Sequence, residues 1–336
     1  MVIKSIISQW NSNAIQMSSN ITHRNHYLPQ RYQLGFAEQE IVWVYDREEN
    51  SCRSGHPKNV GVQNDFYTVV DQNGQQTDMV EKMFTLLEGK VWPVIDRLDG
   101  RKAEWESDDR SNVALFVAFL KTRIPAFDQQ QNNFTEDFLR WWAKARNPTP
   151  QAVIESMRKA TGREIDLEEA SSLFQKIRND EYGVENPRQN NIKMMIDLAL
   201  EVAQALARIQ WTIFWSPKDS TFITSDNPFV LLPPPNFDHS IPGVGILTEG
   251  ATSLIPLSKR TLLCLRNGVE GVTHVEARRD FVRFVNTRVA INSDRFIIAR
   301  DESLLRALVR RTKVNQWRNK FKVILNAPDP YGDSRN

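Results

Sequence analysis

The sequence predicts an α+β protein in which a central helical bundle is flanked by N- and C-terminal β-containing segments that pack together. Three observations carry this prediction. Residues 41–45, Ile41-Val42-Trp43-Val44-Tyr45, are a dense β-branched and aromatic run of the kind that forms a strand. From about residue 77 to residue 210 apolar residues recur at spacings of three and four, the period of amphipathic helices. At Trp211-Thr212-Ile213-Phe214-Trp215 the pattern reverts to strand, and strands and helices then mix to the end. The segments are 1–75, β-containing, with the motif HYLPQRY; 76–210, the bundle; and 211–326, mixed, with the motif SDNP. They are read as one compact unit.

Taken in order, the strand at 41–45 leads into the polar turn Asp46-Arg47-Glu48-Glu49-Asn50, and Phe66-Tyr67-Thr68-Val69-Val70 reads as a second strand. Val80, Met83, Phe84, Leu87, Val91, Ile95 and Leu98 then mark one face of a helix. Asp78 and Glu81 give it a capping-box-like start, and Pro93 is expected to kink or split it. Helical periodicity continues over 109–122, 134–146, 150–161 and 166–179, where Asp166 and Glu169 repeat the capping pattern, and over 190–210. Phe222-Ile223-Thr224 is expected to pair with 211–215 as a hairpin across Ser216-Pro217-Lys218-Asp219-Ser220. The stretch 231–250, with four prolines and three glycines, is a loop. Strands at 252–256, 261–265, 295–299 and 321–325 and helices at 276–292 and 302–312 complete the chain.

Composition excludes several classes. A formal charge of +2 gives no whole-protein electrostatic signal for a polyanionic partner. Cys52 and Cys264 are too few for a disulfide framework, which points to a reducing compartment. No run of apolar residues is long enough to span a membrane, and the N-terminus lacks a signal-peptide pattern, so a soluble, cytoplasmic protein with no membrane partner is expected. GxxxxGK[ST], HExxH, GxSxG and zinc-type Cys/His spacings are all absent. No cofactor and no metal site is expected.

Two polar, proline-containing segments remain. In His26-Tyr27-Leu28-Pro29-Gln30-Arg31-Tyr32, His26 has the side chain best suited to proton transfer near neutral pH, with Gln30 and Tyr32 placed to orient it or to touch a ligand. The alternative is that Tyr27, Leu28, Tyr32 and Phe36 pack a short helix or turn while His26 bonds a carbonyl. In Thr224-Ser225-Asp226-Asn227-Pro228, Asp226 and Asn227 either line a cleft or lock an Asx turn at a strand end. Arg123 closes an apolar helix, so it is either an anion clamp or the buried partner of Asp226 or Glu88. Glu88, which shares a helix face with Glu81, reads as a solvated charge. Asp65 reads as the cap of a turn. The stretch 306–322 carries seven basic residues and no acid, with Trp317 and Phe321 among them, which suits either a nucleic-acid surface or a solvated helix face.

These motifs resemble the family of bacterial domains of unknown function numbered 4238. Asn25-His26-Tyr27-Leu28-Pro29-Gln30 with Tyr32 and Phe36 is similar to its N-terminal signature. The resemblance extends through Trp43-Val44-Tyr45-Asp46, Asp65-Phe66-Tyr67, Val80-Glu81 with Leu87-Glu88, Thr122-Arg123-Ile124-Pro125, Ser225-Asp226-Asn227-Pro228 and Ile255-Pro256-Leu257-Ser258. It spans most of residues 23–300 and implies a bacterial origin but no activity.

The functional reading is a nucleic-acid-directed hydrolase, in its sharpest form a metal-independent nuclease effector. His26 would act as acid and base, Arg123 as phosphate clamp, and Asp226 with Asn227 as orienting groups. The competing reading is a non-catalytic binding or scaffold protein in which the same residues lock turns. The hydrolase reading expects His26 to face Asp226 across a cleft below the 231–250 loop.

Overall fold

The computed structural model describes residues 23–70, 76–102, 104–237 and 243–314; the expected strand at 321–325, with Trp317, Arg318, Lys320, Phe321 and Lys322, lies outside them. The first part of the chain forms β1 (Arg24–His26), α1 (Gln30–Leu34), β2 (Val42–Asp46), β3 (Ser51–Gly55), β4 (Val62–Asn64), β5 (Val69–Val70) and β6 (Gln76–Thr77). Six helices follow: α2 (Met79–Asp99), α3 (Asp109–Thr122), α4 (Pro125–Arg146), α5 (Pro150–Thr161), α6 (Leu167–Arg178) and α7 (Arg188–Leu206). The last part contains β7 (Gln210–Trp215), β8 (Thr224–Ser225), β9 (Val230–Leu232), β10 (Thr252–Pro256), β11 (Thr261–Arg266), β12 (Gly271–Glu276), α8 (Arg279–Asn292), β13 (Phe296–Ala299) and α9 (Glu302–Thr312). The fold is α+β. None of the helices among the described residues is long and apolar enough to cross a membrane.

The chain divides into two compact units, Met1–Ala126 with Met195–Asn336, and Phe127–Met194. In the first, N- and C-terminal strands share one antiparallel sheet of order β3-β2-β13-β8, with Trp43 opposite Ala299 and Asp46 opposite Phe296. A second sheet has the order β12-β7-β11-β10-β9, and only its β12–β7 pairing is parallel. A continuous core joins Tyr45, Ile297 and Ala299 to Phe214, Leu254 and Leu262 through Val285 and Val289 of α8 and Leu305 and Leu308 of α9. On α2 and α3, Phe84 meets Phe119 edge to face at 5.0 Å and Trp92 meets Phe116 at 5.1 Å, geometries that aromatic quadrupoles favour.

The second unit is helical. Thr149 accepts a hydrogen bond from the Ala152 amide at the start of α5, Pro150 occupies the first turn, and Gly162 ends the helix at φ +71. Asp166 caps α6 by accepting from the Glu169 amide at 2.8 Å, as its sequence pattern predicts. Between α5 and α6, Val153, Ile165 and Ala170 are buried with Met157, Leu173 and Phe174 against them. Asn191 donates to Asp128 at 3.0 Å and to Asn132 at 2.7 Å, fastening the first residues of α7 to α4.

Several local expectations are corrected. The 211–215/222–224 hairpin does not form. β7 is buried in the middle of its sheet, between β11 and β12, so it offers no free edge; Thr224 and Ser225 pair instead with β13 of the other sheet. A strand with Trp211, Ile213 and Phe214 all buried has the pattern of a central strand, not of a hairpin arm. Of the strand expected at 66–70 only Val69–Val70 is in a ladder, because Asp65 adopts φ +53 and turns the chain, which puts Phe66 and Tyr67 into the core. Pro93 does not break α2. It lies on the exposed face, as does Gly89 four residues earlier, where water can take the carbonyl that the missing N–H leaves free. Asp78 makes no capping bond and pairs with Lys82 at 2.9 Å. Strand β12 was not expected, because its half-exposed, polar sequence lacks a strong apolar alternation.

Gly61 joins β4 to the turn before it at φ +66, and a Cβ there would lie 2.7 Å from Leu28 Cβ. Gly61→Ala should destabilise the protein by at least about 1–2 kcal/mol from the backbone conformation alone, with further loss from displacing Leu28. Urea unfolding monitored by tryptophan fluorescence measures it, and a stability equal to wild type would refute the close packing of this turn.

Candidate functional site

Both motifs belong to the unit that contains the two large sheets. In the first, β1 pairs with β4, with His26 opposite Val62, and α1 begins immediately after Pro29, whose fixed φ suits a helix start. Tyr32 is fully buried, and its hydroxyl lies 2.7 Å from Thr224 Oγ1 and 2.7 Å from the Pro256 carbonyl oxygen. A carbonyl can only accept, so Tyr32 donates to Pro256 and receives the proton of Thr224. Tyr32 therefore ties the first motif to the second and to β10; its hydroxyl is not available to a ligand. Gln33 fastens the same turn by donating to the Leu28 and Val60 carbonyls at 2.9 and 2.8 Å.

Arg123 lies just beyond α3 and is almost wholly buried. Its Nε donates to the Tyr27 carbonyl at 3.1 Å, its Nη2 to the His26 carbonyl at 2.7 Å, and its Nη1 to Glu88 Oε1 at 3.2 Å. The guanidinium sits 4.1 Å from the centre of the Phe84 ring, and the Arg123 carbonyl accepts from the Tyr67 hydroxyl at 2.5 Å. Of the two partners left open by the sequence, Glu88 is the one it takes. Glu88 is thus the half-buried partner of a buried guanidinium and not a solvated charge like its exposed neighbours Gly89 and Lys90. Asn25, also buried, accepts from the Tyr67 amide at 3.0 Å and hydrogen-bonds Glu81.

Two groups around Arg123 carry spare polar atoms. His26 Nε2 and Glu81 Oε1 are buried without a hydrogen-bond partner in the structure. Burial lowers the His26 pKa, the charges of Arg123 and Arg24 lower it further, and a hydrogen bond to the Lys58 backbone acts against them. Burial raises the Glu81 pKa, while Arg123 and Asn25 pull it down. Both environments favour the neutral form. Glu81 and Asn25 are the members of this cluster that sequence reasoning missed as site residues; the i, i+7 spacing of Glu81 and Glu88 was the available signal.

In the second motif the Asp226 carboxylate is held by main chain. Oδ1 accepts from the Asp294 amide at 2.9 Å, and Oδ2 accepts from the amides of Arg295 at 2.6 Å and Phe296 at 2.9 Å. Its own amide donates to the Phe296 carbonyl at 3.1 Å. Burial pushes the Asp226 carboxyl up to about 6, against the three amides that stabilise the anion. Ser225 Oγ accepts from the Asn227 amide at 3.2 Å, and Asn292 donates to the Asn227 carbonyl at 2.8 Å. These are the bonds of a locked turn. The side chains of Gln30 and Asn227, both half-buried, make no hydrogen bond among the described residues. Beyond the turn, the Lys121 ammonium lies 5.1 Å from the Phe229 ring centre, and burial lowers its pKa.

The structure thus joins Tyr32 to Thr224 and Arg123 to the His26 and Tyr27 carbonyls. No hydrogen bond or ion pair joins His26 to Asp226; Tyr27 is the residue of the first motif that feels the Asp226 charge. Asp65, at φ +53, sits in the turn and accepts at its carboxylate from the side chains of His23 at 2.8 Å and Thr68 at 3.3 Å, while its main-chain carbonyl accepts from the Thr68 amide at 3.4 Å. In the basic C-terminal run Arg306 pairs with Glu302, and Arg311 donates to Thr287 at 3.0 Å. Among the described residues no group of three or more His, Cys, Asp or Glu is gathered so as to hold a metal ion.

The family described as "Protein of unknown function (DUF4238)" matches residues 24–303, so the chain belongs to that family. No curated protein and no solved structure matches it.

Two outcomes follow for the motif residues. Tyr32→Phe leaves the Thr224 hydroxyl and the Pro256 carbonyl without their buried partner and should cost about 1–3 kcal/mol, read from urea unfolding; a cost near zero would refute the bridging role. For His26, the folded pKa lies below 6.5, so on acidification the unfolded chain takes up a proton that the folded protein refuses. Its contribution is intact above pH 6.5 and is lost as pH falls toward the folded pKa. Asp226 acts in the opposite sense: raised from 3.8 to about 6, it favours the folded state at low pH, and that contribution disappears as pH rises through 6. His26→Gln should therefore reduce the stability lost between about pH 7 and about pH 5. A loss as steep as that of wild type would assign the pH dependence to other groups.

Proposed function

We propose that the protein is a non-catalytic binding or scaffold protein, with both motifs serving as locks of its framework. The observation that carries this reading is the burial of Asp226 and Arg123 and their engagement by the protein's own main chain. A carboxylate bonded to three successive main-chain amides, and a guanidinium whose Nε, Nη1 and Nη2 each donate to a main-chain carbonyl or to Glu88, are buried and turned into the framework, away from a phosphate in solvent. Tyr32 is committed in the same way. The binding surface is then to be sought away from the motifs. The strongest candidate is α4, which exposes Phe134, Phe138, Trp141 and Trp142.

A second reading, the nucleic-acid-directed hydrolase, is favoured by one observation: His26 Nε2 and Glu81 Oε1 are unpartnered and held toward their neutral forms, an imidazole able to accept a proton and a carboxyl able to donate one. In that reading His26 is the acid/base, Gln30 and Asn227 touch the substrate, and the basic stretch 306–322 receives the nucleic acid.

Degradation of RNA and DNA by wild type, His26→Ala and Asp226→Ala, with and without EDTA, separates the two. The binding reading expects no cleavage by folded wild type and a large loss of stability in Asp226→Ala. Cleavage by wild type that His26→Ala abolishes without lowering its melting temperature would overturn it in favour of the hydrolase, and the EDTA arm would then report on metal.

A further inference from the structure

Helix α4 carries the largest cluster of exposed aromatic side chains among the described residues. Phe134 is 65 % exposed, Phe138 49 %, Trp141 64 % and Trp142 45 %. Phe134 stacks on Phe138 with ring centroids 6.5 Å apart, and Phe138 meets Trp141 at 6.0 Å, so the rings form one ridge. With each aromatic side chain contributing roughly 150–250 Å² when fully exposed, the ridge leaves about 450 Å² of apolar surface in water. That is as large as the patches that mark interaction sites on monomeric proteins.

The spacing identifies the shape of what covers it. Phe134, Phe138, Trp141 and Ala145 follow one another at steps of four, three and four, the alternation of the core positions of a coiled coil. Such a seam accepts another helix. Charge argues for protein over nucleic acid: residues 127–194 contain ten Lys and Arg against eleven Asp and Glu, with no basic excess to draw a phosphate backbone. The residues that flank the seam on one side are Asp137 and Lys144, seven apart and opposite in sign. If a second α4 crosses antiparallel with its twofold axis between Arg140 and Trp141, Asp137 of each copy faces Lys144 of the other. Lys144 already bonds Asp180 at 2.7 Å, but an ammonium has three donors and can serve both carboxylates. Two ridges together supply about 900 Å² of aromatic surface, and the stems of flanking side chains bring the total near the ~1,200 Å² at which stable interfaces begin.

We propose that the aromatic seam of α4 is the contact by which two copies of this chain form a twofold, antiparallel helix pair. The proposal rests on the reading of α4 as a binding surface and names the partner as the chain itself.

Light scattering of the size-fractionated full-length protein over a wide concentration range tests it. The expected species has twice the 38.8 kDa chain mass. Phe138→Glu should raise the dimer dissociation constant by at least about tenfold. Asp137→Lys and Lys144→Asp, each kept only if circular dichroism shows it folded, should each weaken the dimer, and mixing the two should restore it, because opposite charges then face each other at both ends of the seam. Should Lys144→Asp fail to fold beside Asp180, Lys144→Gln replaces it, and mixing with Asp137→Lys should then relieve the repulsion in part. A wild type that stays monomeric throughout overturns self-association while leaving a binding role with another protein intact. A dimer that the folded variants do not weaken, or that mixing does not rescue, overturns the antiparallel seam.

Discussion

The buried guanidinium of Arg123 sets the terms for much of the first motif. Removing a cation from water costs several kcal/mol unless it is paired and hydrogen-bonded, and here the partners come from two separate parts of the chain, the first motif and α2. The main chain at His26 and Tyr27, the Glu88 carboxylate on α2 and the Phe84 ring each supply one side of the cage. Since two of the acceptors are carbonyls, the backbone of the first motif has to run where the guanidinium can reach it. The Tyr67 hydroxyl bonding back to the Arg123 carbonyl closes the same set from behind. Lysine in place of Arg123 would keep the charge but lose the planar fork that serves three acceptors at once.

Asp226 is the counterpart in the second motif, and the comparison explains why the two segments look alike in sequence. In each, an ionised side chain meets main-chain groups at a strand end, Arg123 from outside the first motif and Asp226 from within the second. Arg123 supplies donors to carbonyls at the end of β1, and Asp226 supplies acceptors to amides at the start of β13. A proline follows two residues on in both cases, Pro125 after Arg123 and Pro228 after Asp226, and disfavours helical geometry for the single residue between. Polar residue, strand end and proline are also the ingredients of many catalytic sites, so the sequence signature by itself does not distinguish a lock from a site.

What could be read from the chain alone was what depends on near neighbours. Helices α2, α3, α5, α6, α8 and α9 show their apolar stripes and, for α6, its Asp166 cap within a few residues of sequence. Strands β10, β11 and β13 show as short apolar runs. Strand partnership did not show, because nothing local to Thr224 announces β13 more than 70 residues away, nor does Trp211 announce both β11 and β12. The same holds for the site. His26, Arg123 and Asp226 were recognisable as unusual, but that Tyr32 meets Thr224 or that Glu88 is the partner of Arg123 depends on tertiary contacts. Glu88 was misread because it opens the run Glu88-Gly89-Lys90, whose residue types suit a solvated face, while its own carboxylate turns toward Arg123.

The ladder between β2 and β13 has a bearing on how the protein is made. Asp46 pairs with Phe296, so a strand that leaves the ribosome early waits for its neighbour until some 250 residues later. At bacterial to eukaryotic elongation rates that wait is about 12–50 s. Residues 127–194 are under no such restriction, since the contacts of α5 with α6 close over a short loop and can form as soon as they emerge. Synthesis therefore presents a finished helical unit beside a β2 whose Val42, Val44 and Tyr45 are still uncovered, an interval in which a nascent-chain chaperone has a defined segment to shield.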